Sequence, residues 1–148
     1  MPHTDMQLRI ALTMIPDIGP VTAKKLISHL GSVNAIFSES RESLMRIRGI
    51  GPRLSGAITS SRLLEAAKRE EAFVARHHIA VSYYKDPGYP RRLKHCLDGP
   101  ILLYTHGKPV LNEKRILSVV GTRKATSYGK EICRELIRGL AAMFSDLV

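Results

Sequence analysis

The sequence predicts a helical module followed by the opening of an α/β domain. Three observations carry this prediction. Residues 5–77 fall into short stretches with apolar positions at i, i+3, i+4 and i+7, separated by Gly and Pro breaks. After His78 the pattern shortens to β-rich runs of four to six residues bounded by turn chemistry. Residues 116–120 are nearly all apolar, as a buried parallel strand should be, and lead through Gly121 and a polar loop into an amphipathic stretch.

The elements follow in order. Asp5 is placed to cap a first helix carrying Leu8, Ala11, Leu12 and Ile15 on one face. Pro16-Asp17-Ile18-Gly19 breaks it. Pro20 stands at a first-turn position, and Val21, Ala23, Leu26, Ile27 and Leu30 run on to a stop at Gly31. Ser32 and Ser40 cap two further short helices, with Val33, Ile36 and Phe37 and then Leu44, Met45 and Ile47 inward. Arg48-Gly49-Ile50-Gly51 breaks the pattern, Pro52 restarts it, and Leu54, Ala57 and Ile58 follow. A longer helix over about 61–77 turns Leu63, Leu64, Ala67 and Phe73 inward. Strands are expected at 79–84, 101–104 and 116–120, and a helix at 128–144. A boundary near residue 75 divides a helical domain, 1–75, from an α/β part, 76–148. One strand–helix unit cannot cover its own sheet, so the pattern predicts a piece of a longer protein.

Charge narrows the partner. Lys and Arg number 23 against 13 Asp and Glu, a net +10. The excess is spread evenly: ten cations face six anions in residues 1–70, six face three in 71–108, and seven face four in 109–148. The excess is no basic tail; its natural reading is attraction to a polyanion, and the alternative is a basic surface kept for solubility. Cys96 and Cys133 lack metal-ligand or redox spacing, which reads as buried or incidental thiols in a reducing compartment. No apolar run approaches the ~20 residues of a membrane helix, so the expected location is the cytoplasm, with no membrane partner.

Two segments carry anion chemistry. Ile15-Pro16-Asp17-Ile18-Gly19-Pro20 and Ile47-Arg48-Gly49-Ile50-Gly51-Pro52 align without gaps, 32 residues apart. Both resemble the helix–hairpin–helix motif. Its glycines let the backbone approach a phosphate, and its second helix presents free N–H groups and a positive dipole end. Gly19, Lys24 and Lys25 are the candidates in the first copy, where Asp17 replaces a glycine and sets a negative charge beside the would-be phosphate. Gly49, Gly51 and Arg53 are the candidates in the second. The alternative reading makes the hairpins a packing unit whose turns only join helices.

The second segment is the loop Gly121-Thr122-Arg123-Lys124-Ala125-Thr126-Ser127-Tyr128-Gly129. A strand would deliver it to the carboxyl edge of the sheet, where α/β proteins bind ligands. Thr126 or Ser127 caps the next helix, Arg123 offers a bidentate fork and Lys124 a second charge. It is neither a Gly-x-Gly-x-x-Gly turn nor a Walker loop. Lys130, Arg134 and Arg138 recur along the helix, with Glu131 and Glu135 beside them as salt-bridge partners.

The hairpin pair, Tyr89-Pro90 with Leu93, the run 101–104, and Val120-Gly121-Thr122-Arg123 followed by Ser127-Tyr128-Gly129 together resemble DNA-processing protein A, the DprA/Smf family. The family pattern has Ser at the position of Thr122, which keeps the hydroxyl. The resemblance implies a SAM-like helical domain followed by an extended Rossmann-like domain. It also implies a single-stranded DNA-binding protein of natural transformation and competence that protects DNA and loads RecA recombinase, dimeric when full length. The site it implies is Gly121, Thr122, Arg123, Lys124, Thr126, Ser127, Tyr128, Gly129 and Lys130, with Arg123 on DNA phosphate.

No nucleophile–base–orienter set is visible, and no histidine pair has the spacing of a helical zinc site, so no catalysis, metal or cofactor is expected. Tyr83, Tyr84, Tyr89 and Tyr104 serve either core packing or base stacking. Two rivals stand beside the mediator reading: a Rossmann enzyme holding a nucleotide phosphate in the 121–129 loop, and an adaptor whose hairpins bind a protein.

Overall fold

A computed structural model describes residues 3–113 and 116–143 and divides the chain into two compact units, one up to Glu113 and one from Lys114 onward. The first unit begins with six helices: α1 (Asp5–Met14), α2 (Pro20–Leu30), α3 (Val33–Ser38), α4 (Arg41–Met45), α5 (Pro52–Ile58) and α6 (Ser61–Arg76). Local chemistry sets most of their ends. Ser32 and Ser40 cap α3 and α4 by accepting from the amides of Ala35 and Ser43. Gly31 ends α2 at φ 86°, a left-handed turn that returns its N–H to the Ile27 carbonyl. The cap of α1 is Thr4, not Asp5. Thr4 and Gln7 form a reciprocal capping box, which places Asp5 in the first turn, where its charge suits the helix dipole.

The helices close around Ile10, Leu12, Leu26, Ile27, Ile36, Leu44 and Ile58, each almost fully buried. Packing of α1 on α6 is the most extensive helix contact, and it is fastened at the surface by Glu71. That carboxylate accepts from Thr4 Oγ1 at 2.7 Å and from Gln7 Nε2 at 2.6 Å. Three apolar residues expected inward lie outward instead: Val21, Met45 and Phe73 are each about two-fifths exposed. On α6 the buried stripe runs through Ala67 and Val74, so the inward face is rotated by one residue from Phe73. Phe73 instead rests against the His77 ring, with centroids 4.2 Å apart.

Two strands complete this unit, β1 (Ala80–Tyr83) and β2 (Leu102–Thr105), with the short helix α7 (Arg91–Lys94) between them. They pair antiparallel, Ala80 opposite Thr105 and Tyr83 opposite Leu102. Tyr83, Ile101 and Leu102 join the helical core, so the change of period near His78 does not divide the packing. The segment between the strands is pinned by the buried Tyr89, whose hydroxyl donates to the Pro100 carbonyl. A side chain at Gly99 would meet the Leu93 carbonyl at 2.5 Å, a clash that only glycine avoids. Burial pushes the Tyr83 and Tyr89 phenols above their ordinary range.

The second unit holds residues 116–126 without regular structure and α8 (Ser127–Met143). The predicted helix is present; its expected last residue, Phe144, lies outside the described residues. The predicted strand at 116–120 is not formed. All five side chains are exposed, Val120 at 92%. A strand exists only as a ladder with a neighbour, and an apolar run does not specify that neighbour locally. Among the described residues the expected α/β sheet is therefore represented by the β1–β2 pair alone. Cys96 and Cys133 are free and exposed, so of the two readings of these thiols the buried one does not hold. No helix among the described residues is long and apolar enough to cross a membrane.

Candidate nucleic-acid interface

The two hairpins share one backbone. Ile18 N–H donates to the Ile15 carbonyl at 3.2 Å, and Ile50 N–H to the Ile47 carbonyl at 3.0 Å. In each turn the residue before the central Ile is left-handed, Asp17 at φ 66° and Gly49 at φ 96°. Gly19 and Gly51 are the N-caps of α2 and α5, both extended, each followed by a proline in the first turn. Ile18 and Ile50 are buried and anchor their turns. Asp17 thus occupies a slot made for glycine, at a conformational cost that Asp tolerates better than most residues.

Two of the cations near these turns, Arg53 and Lys24, are already engaged. Arg53 Nη2 lies 2.8 Å from Asp17 Oδ2, so the acid of one hairpin faces the cation of the other. Both are exposed, and such a pair contributes ~1 kcal/mol or less to stability, but it cancels charge where a phosphate would sit. Lys24 donates to the carbonyls of Cys96 at 3.1 Å and Leu97 at 3.2 Å, clasping α2 to the segment after α7. Lys25 is exposed beside it.

The 121–129 loop has a different electrostatic character. Gly121, Thr122, Arg123, Lys124, Thr126, Ser127, Tyr128, Gly129 and Lys130 are all exposed. Thr126 caps α8: its Oγ1 accepts from Gly129 N–H at 3.1 Å and its carbonyl from Lys130 N–H at 3.0 Å. The remaining first-turn amides, at Ser127 and Tyr128, precede the intrahelical ladder and are donors for an anion. Among the described residues, no carboxylate lies within ion-pair distance of Arg123 or Lys124. Farther along α8, Arg134 is paired with Glu131 at 2.9 Å. A cleft of about 370 Å³ brings Gly121, Gly129 and Lys130 together with Val119, Val120 and Cys133. Arg123 and Lys124 do not line it.

Sequence reasoning passed over one basic group. Helix α7 carries Arg91, Arg92 and Lys94 within four residues, and the run Arg91-Arg92-Leu93-Lys94 was the available signal.

Comparison with known proteins divides the chain in the same order. Residues 10–69 match the family model of the SAM-like helix-hairpin-helix tandem. Residues 80–145 match that of DNA recombination-mediator protein A. Two curated relatives are similar over the helical part. UvrABC system protein C of Frankia casuarinae is 37% identical over 62 residues, 42% of this chain and 9% of that protein. UvrABC system protein C of Pseudarthrobacter chlorophenolicus is 40% identical over 50 residues, 34% of this chain and 7% of that protein. The chain thus spans less than a tenth of the length of these relatives. A stretch similar to the SAM-like helix-hairpin-helix tandem, followed by one similar to DNA recombination-mediator protein A, makes the chain similar to the N-terminal portion of the DprA family.

Proposed function

We propose that this chain works as a non-enzymatic, single-stranded DNA-binding recombination mediator. In this reading it acts during DNA uptake in the cytoplasm, protects the incoming strand and loads RecA recombinase, as a homodimer in the full-length protein. The observation that carries the DNA contact is the arrangement at 121–130. Arg123 and Lys124 stand exposed and, among the described residues, without a carboxylate partner, immediately before a Thr126-capped helix whose first amides are open. Phosphate there would meet a guanidinium fork, an ammonium and a helix N-terminus together. The hairpin pair serves as a scaffold, since Asp17 and Arg53 satisfy each other.

The test is Arg123→Ala in the full-length protein, read by fluorescence anisotropy of labelled oligo-dT across a salt series. Affinity is expected to fall ten- to a hundredfold, the worth of a charge-assisted contact of about 1.5–3 kcal/mol. The log–log salt slope should shrink by about 0.7. An unchanged affinity and slope would sink the loop as the DNA site.

A further inference from the structure

Cations on this chain are not equally available. Arg9, Arg53 and Arg134 each face a carboxylate, on Asp5, Asp17 and Glu131. Lys24 and Lys94 are held differently. Lys24 is held by the Cys96 and Leu97 carbonyls, and Lys94 by the Asp86 carbonyl at 2.8 Å. Both ammoniums are anchored by neutral oxygens, so their positions are fixed while their charge is not cancelled. The Nζ atoms of Lys24 and Lys85 each lie 5.7 Å from the centre of the Tyr84 ring. Arg91 is exposed one turn before Lys94.

Residues 84–98 contain two carboxylates, Asp86 and Asp98. Asp86 is spent elsewhere: its Oδ2 accepts from Tyr83 N–H at 2.8 Å, and its Oδ1 lies 4.0 Å from Arg9. Asp98 is exposed. The result is a half-buried aromatic ring with Lys24 and Lys85 against it, and with Lys94 tied to the Asp86 carbonyl two residues along the chain; none of the three has an ion-pair partner among the described residues. By charge its occupant is a polyanion. A ring among the cations favours an anion whose charges alternate with flat, stackable groups, which is the composition of a single nucleic-acid strand.

We infer that Lys24, Tyr84, Lys85, Arg91 and Lys94 form a second nucleic-acid contact surface, taking the phosphodiester backbone of a single strand with a sugar or base against Tyr84. The inference rests on the reading that the chain binds single strands, but not on the 121–129 loop as its site.

The test uses the full chain, labelled oligo-dT and a salt series. Lys85→Ala with Arg91→Ala is expected to reduce the log–log slope by about 1.4, two phosphates at ~0.7 each, and to weaken binding at low salt by roughly tenfold. Lys85→Arg with Arg91→Lys should keep both near the parent values, with circular dichroism unchanged in both variants. Parent-like affinity and slope in the alanine variant overturn the proposal, as does an equal loss in the charge-conserving variant. Polyglutamate competing as well as the strand, charge for charge, also overturns the nucleic-acid assignment. Arg123→Ala is measured separately, so that loss there with none in the alanine pair leaves the loop reading standing and removes this surface, and the converse removes the loop.

Discussion

Gly49 and Gly51 sit two residues apart in the same turn and separate two roles of glycine. A Cβ at either position would meet nothing within 4 Å, so crowding plays no part. Only the backbone differs: Gly49 is at φ 96° and Gly51 at φ −91°. Gly49→Ala should therefore destabilise the protein by about 1–2 kcal/mol, the cost of a left-handed L-residue. Gly51→Ala should change stability by less than ~1 kcal/mol. Urea unfolding of both variants checks this, and equal losses would show that the turn is not governed by φ. Asp17 in the matching slot shows that the position tolerates a side chain when that side chain has somewhere to go, in this case to Arg53.

At the scale of elements, the start of α1 joins a local motif to a distant one. Thr4 accepts from Gln7 N–H within its own helix and donates to Glu71 on α6. Thr4→Ala removes both bonds and is expected to cost ~1–2 kcal/mol, whereas Thr4→Ser keeps the hydroxyl and should cost far less. Thermal unfolding of the two variants distinguishes them; similar losses would assign the effect to the lost methyl group. The helices were legible in the sequence because their signals are local: Ser32, Ser40, Pro20, Pro52 and Gly31 act within a turn or two of themselves. What was not legible depends on partners. The run at 116–120 has strand composition, but its residues form no ladder. Phe73 and Val74 differ by one step around α6, and only the packed neighbours decide which points inward. The DNA candidates divide in the same way. The exposed setting of Arg123 and Lys124 and the Thr126 cap follow from the loop's own residues. The capture of Arg53 by Asp17 and of Lys24 by the Cys96 and Leu97 carbonyls, across 72 and 73 positions, does not.

For the molecule as a whole, the two units differ in how much apolar surface they bury. The first has a continuous core from Leu8 to Leu102. In the second, Ile116, Leu117, Val119, Val120, Ile132, Leu136 and Ile137 are all 44% exposed or more. Local stability follows buried apolar contact, so amide hydrogen exchange should be slow in α1, α2 and α6 and faster by orders of magnitude in residues 116–143. Uniform protection across both would contradict this. The groups proposed to contact DNA at 121–130 would, on this expectation, gain order when a strand binds, at an entropic cost that lowers affinity.

The clasp between Thr4 and Glu71 also bears on the order in which the protein assembles. It joins the first helix of the tandem to the last, 67 positions apart. Both hairpins are thus enclosed in one long chain closure, and long closures slow folding relative to local contacts. During synthesis α2 and α3 can cover part of α1 early, but the face that packs on α6 stays open until α6 has left the ribosome. The interval between those two events is when this module is most exposed to misassociation.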